Sequence, residues 1–420
     1  MILCIAACWL AATASPARAA DNCRACHRLT VTGVHARLAC SGCHGDDRRP
    51  LADPAAAGHG ASGCAGCHPG YGEIFTHAHG TRRGEREFAA RSWGRTDPRF
   101  FEQTCGGCHV RSCRDCHGGS GHALRRPGIR ECLACHKGYF TGAEYAGLAP
   151  REDHQRYQRG ENAYGGQYLK MLPDVHAEAS LPCGACHDMA SLAVGKKSSK
   201  VCSDCHRPSA KVLEHRIGRH LERLECFACH SAWAPQEYGT FFLRLVASPV
   251  ARESFADLPR IGDYVKSAYL KRQDAPPLGV NEQGRVSPIR PQFIAYYGEI
   301  VRDRPAGAEN RLLAAEWRAF FPHTVRRGTP FCDSCHEMPR RFLREEARDR
   351  IYRLREDGLG LDSFWDRAGH RVVNGAFLPD DRYQRVTAKG PDYRKGYIEK
   401  WHQFVQRVAA SSGSSSASPR

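Results

Sequence analysis

"CGGCHVRSCRDCH", residues 105–117, holds the pattern Cys-x-x-Cys-His twice, with only Val110, Arg111 and Ser112 between the copies. Two thiols one helical turn apart, followed at once by an imidazole, suit half a zinc cage, a redox dithiol, a disulfide, or covalent attachment of one flat, rigid group. Repetition separates these readings. The pattern recurs at Cys23, Cys26 and His27; Cys40, Cys43 and His44; Cys64, Cys67 and His68; Cys105, Cys108 and His109; Cys113, Cys116 and His117; Cys132, Cys135 and His136; Cys183, Cys186 and His187; Cys202, Cys205 and His206; Cys226, Cys229 and His230; and Cys332, Cys335 and His336. Composition alone would give roughly 0.06 copies, so coincidence is excluded. The ten copies use 20 of the 22 cysteines, and the other two, Cys4 and Cys8, fall in the N-terminal apolar run. No cysteine outside that run is left for a disulfide or a catalytic thiol.

Zinc gives no reason for a His after every second Cys. A porphyrin does: the thiols add across its two vinyl groups as thioethers, and the adjacent imidazole reaches the iron as proximal ligand. On these motifs the chain resembles a multihaem, here decahaem, c-type cytochrome. The resemblance covers residues 23–336 and implies ten covalent haem c groups, with the motif cysteines as anchors and the motif histidines on the iron. It also implies export, because in that family haem is attached outside the cytoplasm.

The opening "MILCIAACWLAATASPARA", residues 1–19, reads as a secretory signal cleaved before Ala20, with an uncleaved anchor as the alternative. The expected location is therefore periplasmic, with outer-membrane association or secretion as further options. A net charge of +16 taken alone suggests nucleic acid. Ten haems bring about 20 propionate charges, which leaves a formal balance near +5 with ferric iron and near −5 with ferrous iron. The basic residues are thus expected to partner propionates, and no nucleic acid is expected.

Nine motifs crowd residues 20–237, where long apolar segments are absent, and one lies in 238–420. Such a chain buries little side-chain core, so porphyrins must supply the interior. The expected fold is mostly α and irregular, a haem-packed multihaem cytochrome c architecture with little β structure and a haem-poor, mainly helical C-terminal half. The expected domains are the signal 1–19, a nine-haem domain 20–237, a C-terminal domain 238–410 with the tenth haem, and a disordered tail 411–420. Helical periods are predicted at 309–321, 340–357 and 393–410, and a glycine-containing turn between extended segments within 280–297.

Each iron needs a second axial ligand unless it is a reaction site. The candidates are His35, His59, His77, His79, His122, His154, His176, His215, His220 and His323, with His370 and His402 weaker. His35 and His59 stand five residues before a motif cysteine, and a His so placed is expected to serve a neighbouring haem. Mostly bis-His ligation implies low potentials, because Met ligation raises them. Between Cys105 and Cys113 the chain reaches at most about 28 Å, so their two haems must lie nearly in contact.

Crowded low-potential haems point to an electron carrier in anaerobic respiration. Its expected partners are redox proteins: a quinol dehydrogenase or other cytochromes upstream, and a reductase or outer-membrane conduit downstream. The alternatives are a terminal reductase of a small oxyanion (nitrite, tetrathionate or selenite) with one open haem, and a homo-oligomer or extracellular filament. Nitrite and tetrathionate enzymes commonly replace one motif His by Lys, whereas all ten motifs here end in His. Arg285, Arg290 and Tyr296 are the candidate anion contacts of the reductase reading.

Overall fold

The structure, a computed structural model, describes residues 31, 33–44, 63–107, 109–118, 122–136, 144–146, 159–163, 166–170, 174–195, 198–258, 260–274, 276–308, 310–328, 330–349, 367 and 369–413. The chain divides into two compact units. The first comprises Met1–Arg83, Cys108–Cys132 and Cys183–Ser199; the second comprises Gly84–Gly107, Leu133–Pro182 and Lys200–Arg420.

The second unit is built on one long strand. Its sequence "VSPIRPQFIAYYGEIV" is rich in β-branched and aromatic residues and forms Val286–Val301, here β8. In chain order the strands are β1 (Glu144–Ala146), β2 (Arg159–Ala163), β3 (Gly166–Lys170), β4 (Trp233–Val246), β5 (Arg260–Ile261), β6 (Tyr264–Asp274), β7 (Leu278–Asn281), β8, β9 (Arg304–Pro305), β10 (Arg311–Ala319) and β11 (Gly375–Phe377). The first three make a small antiparallel sheet in the order β1-β3-β2. The other eight make one mixed sheet in the order β11-β7-β8-β4-β6-β5, with β10 and β9 also paired to β8. Only β4 runs parallel to β8, matching Thr240–Val246 to Ala295–Val301.

Alternation along β8 sends its side chains to two cores. Ile294 and Tyr296 join Ile289, Trp317, Ala319 and Val372 on one face. Ala295 and Tyr297 join Phe242, Tyr264, Phe88, Trp93, Phe100 and Phe101 on the other. There the Trp93 and Phe100 rings stack at 5.0 Å, Phe100 meets Phe242 edge-on at 4.7 Å, and the Trp93 indole N–H donates to the Tyr296 carbonyl at 2.9 Å. A third cluster, of Ala228, Leu278, Val280, Val286, Phe342 and Leu378, ties the motif at 226–230 to the end of the sheet. Gly284, at φ +72°, turns β7 into β8, and the Asn281 carboxamide oxygen accepts from Arg285 N–H at 2.9 Å across that turn.

This architecture corrects the expected fold class. The chain is not a mostly α, haem-packed cytochrome with little β structure, and its C-terminal half is not mainly helical, because an eight-stranded sheet is its core. The segment 309–321, expected as a helix, contains β10. A bulge at Leu313, between Leu312 and Ala314, breaks its period of two, and the apolar residues then fall at helix-like intervals. Pairing with β8 and full burial of Trp317 override the helix propensity of its Ala, Leu and Glu residues. Of 340–357, the described part is two 3₁₀ turns, Pro339–Phe342 and Ala347–Asp349, interrupted by left-handed Leu343. The segment 393–410 lies in the helix Pro391–Gly413.

The lack of side-chain core expected in the motif-rich half also needs correction, since residues 84–107 of that half cover one face of the sheet with Phe88, Trp93, Phe100 and Phe101. The first unit differs in this respect. Among its described residues the buried apolar side chains are Ile74 and Ala193 alone.

Trp317 is 0% exposed. Trp317→Ala is therefore expected to cost about 3–5 kcal/mol, read as a lower urea midpoint of the far-ultraviolet strand signal.

Candidate metal centres formed by paired imidazoles

Eight of the ten motifs fall wholly within the described residues and a ninth does so except for Cys108; most sit on a single short helical turn, such as Cys40–His44, Cys226–His230 and Asp333–His336. One turn of helix carries both thiols and the imidazole on adjoining sides, as attachment to one planar group requires. Among the described cysteines none forms a disulfide. Burial raises the thiols of Cys43, Cys332 and Cys335 above the ordinary range and pushes Cys229 up to about 12. Hydrogen bonds from Cys132 to Cys183, and from Cys202 to Cys226, raise the donor of each pair. Successive motifs thus present their sulfurs to one another within each unit.

The imidazoles show a second regularity. In the first unit His68 is faced by His35, with ring centres 6.2 Å apart, and His44 by His122 at 5.9 Å. His79 lies beside His187, close enough to act on its charge. In the second unit His206 is faced by His176 at 6.0 Å, His230 by His215 at 6.1 Å, and His336 by His220 at 6.4 Å. Each pair joins one motif histidine to one histidine outside the motifs. Two metal–nitrogen bonds of about 2.0–2.1 Å in line, with each ring centre about 1.1 Å behind its nitrogen, would separate the centres by about 6.3 Å.

Hydrogen bonds choose the nitrogen that looks into the gap. His230 Nδ1 donates to the Arg326 carbonyl at 3.2 Å and His176 Nδ1 to Asp174 Oδ1 at 2.9 Å, which leaves Nε2 of each as the nitrogen with a lone pair. Asp174 also caps its helix through His176 N–H and accepts from Val325 N–H at 2.6 Å. Burial holds His187, His220 and His336 below the ordinary imidazole range, so at neutral pH they are the uncharged form that can bind a metal. Among the described residues no group of three or more His, Cys, Asp or Glu converges on a point. A pair offers two imidazole nitrogens, which a haem iron could take as its protein ligands. The dithiols beside the motif histidines are where its macrocycle would be fastened.

The remaining candidates divide as follows. Cys23, Cys26, His27, Cys108, His59 and His154 lie outside the described residues, as does the leader 1–19. His77 approaches Glu73 at 3.7 Å and Gly195, and His323 packs edge-on against Phe321 at 4.6 Å. His109 Nε2 accepts from Arg111 Nε at 3.3 Å, His117 Nδ1 donates to the Arg125 carbonyl at 3.1 Å, and His136 is exposed. His402 is exposed on the C-terminal helix. The three anion candidates meet no common pocket: Arg285 donates to the Leu221 and Leu224 carbonyls, Arg290 packs over Phe320, and Tyr296 stacks on Phe241 inside the core. The sequence had not pointed to Asp174 or Arg341, whose roles depend on chain brought in from elsewhere. An acidic residue two positions before a candidate ligand was the signal available for Asp174.

Among the described residues no helix is long and apolar enough to cross a membrane. Protein-family models, curated proteins and solved structures contain no match to the chain.

Replacing Asp174 by Ala leaves the Val325 and His176 N–H groups without their acceptor. The expected cost is about 1–3 kcal/mol, read by urea denaturation, with His176 losing its fixed ring orientation in NMR spectra.

Proposed function

We propose that the chain is an exported electron-transfer protein carrying covalent haem c at its ten Cys-x-x-Cys-His motifs. The observation that carries this reading is the recurrent spacing of 5.9–6.4 Å between a motif imidazole and a second imidazole. His35, His122, His176, His215 and His220 would serve as distal ligands to the irons of His68, His44, His206, His230 and His336, and His79 to that of His187. The cofactor supplies a reversible one-electron couple. The protein's part is to fasten it through two sulfurs, hold two neutral nitrogens on one axis, and keep neighbouring sites close.

Six irons ligated on both sides would have no place for a substrate, which favours relay over catalysis. Contact between the sulfurs of Cys202 and Cys226, and the joint approach of Cys229 and Cys335 to one guanidinium, support close sites at His206, His230 and His336. Electrons would enter from a quinol dehydrogenase or another cytochrome and leave to a reductase or an outer-membrane conduit. The eight-stranded sheet is a scaffold for part of this relay, so the proposal concerns a haem protein with a substantial β core.

Protein made in a host that matures c-type cytochromes is expected to exceed its polypeptide mass by ten haems and to give low-spin ferric EPR signals. A colourless protein of bare polypeptide mass refutes the reading, and a dominant high-spin signal that shifts on adding nitrite or selenite moves it to a reductase. In His220→Ala one haem in ten is expected to become high-spin, because the imidazole opposite His336 is gone. Retention of ten low-spin centres would remove His220 from the ligand set.

Made without haem attachment, the chain is expected to protect the amides of β4, β8 and β10 against hydrogen exchange. The described parts of the first unit should exchange rapidly, since they bury so little apolar surface of their own.

A further inference from the structure

Arg341 sits on the 3₁₀ turn Pro339–Phe342 and is 5% exposed. Its position is fixed from both sides. Phe342, the next residue, is buried against Val280, Val286 and Leu378, and Arg341 N–H donates to the Met338 carbonyl at 3.1 Å. The guanidinium lies against the sulfur of Cys335 and close enough to that of Cys229 to act on its charge, one from each of two motifs, and Nη2 donates to the Ala228 carbonyl at 3.3 Å. Nε and Nη1 are buried without a hydrogen-bond partner.

Among the described residues no carboxylate pairs with Arg341. The acids around it are taken: Glu345 by Arg340, Asp380 by Arg344, and Glu214 by Lys400. A guanidinium cannot shed its charge at any physiological pH, so a positive charge is lodged in the interior between two motif turns. Burial of a cation without a paired anion is unfavourable, and a fold keeps one only where something else gains from it.

We propose that Arg341 is a potential-setting residue that raises the reduction potentials of the two haems held at His230 and His336, making this pair an electron sink for its neighbours. The inference rests on the haem reading above. A ferric haem centre carries one more positive charge than a ferrous one, so a fixed cation nearby disfavours the oxidised state. Low polarity around the guanidinium extends its influence to both sites. The thioethers formed at Cys229 and Cys335 are neutral and leave its charge in place. In each transfer the ferrous iron of a neighbouring site, such as that at His206, becomes ferric as the ferric iron at His230 becomes ferrous. One electron moves, and no bond or proton changes hands.

The test compares haem-loaded wild type, Arg341→Gln and Arg341→Lys by spectroelectrochemical and EPR redox titration, after mass spectrometry has counted their haems. Absence of haem from wild type would refute the functional reading and is thereby distinguished from failure of this inference. With ten haems in each, Arg341→Gln is expected to lower two centres by at least 59 mV, a tenfold change in the ferric-to-ferrous ratio, while eight stay in place. Arg341→Lys keeps the charge and is expected to restore most of the difference, which a merely structural role would not do. Unmoved potentials, an equal shift of all ten, or a Lys variant that behaves as Gln overturns the proposal.

Wild type alone gives a second test should Arg341→Gln not accumulate. Tyr393 packs 4.5 Å from the His336 ring, so its NMR contacts identify that haem, with Tyr393→Phe to assign them. In a stepwise titration this haem is expected among the first two to be reduced. Its appearance among the last would overturn the proposal.

Discussion

Five times in the molecule a motif imidazole faces an imidazole outside the motifs, with ring centres 5.9–6.4 Å apart. Each pair unites segments that are separate in sequence, such as His44 with His122 and His220 with His336. On the haem reading proposed above, metal ligation across these pairs would supply cross-links that side-chain packing supplies in ordinary domains.

The two units hold these pairs differently. In the first, few described apolar side chains are buried, so paired imidazoles and adjoining sulfurs are the main candidates to order short helices and turns. In the second, β8 feeds two cores and a third cluster, and the motif at 226–230 is fastened to the sheet directly. Glu225 N–H donates to the Val286 carbonyl at 2.9 Å, and Ala228 is buried against Leu278 and Val286. Tyr393 and Tyr397 donate from the C-terminal helix to Asp333, inside the tenth motif, at 3.2 and 3.3 Å. A sheet does not shift as a loop does, so sites anchored to it keep their separations through changes of charge.

The motif residues were legible because their chemistry is local: three residues in five positions, repeated. The distal candidates were legible as a list and illegible as pairs, because pairing is set by tertiary approach. The sheet was the larger miss. A bulge at Leu313 of β10 turned a strand into an apparent helix, and the extended segments read around the glycine turn of 280–297 gave no sign of the partners that would pair with them. The aromatic residues between 88 and 101 were read as part of a haem-filled region because motifs flank them. Nothing in their own sequence said that they would cover a sheet formed some 150 positions later.

The partner choice of the distal histidines follows from the length of chain before each motif. His35 stands five residues before Cys40 and His176 seven before Cys183, and on the proposed reading so short a segment could not carry its imidazole around a macrocycle fastened at the next turn. His35 accordingly faces His68 and not His44, and His176 faces His206 and not His187. His220, six before Cys226, faces His336, while His215, five residues earlier, has the extra chain needed to reach His230. Motifs built this way interlock: the strand of chain leading into one site completes another. On the proposed reading the sites would form a linked series whose spacing is set by the peptide, as a relay of electrons requires.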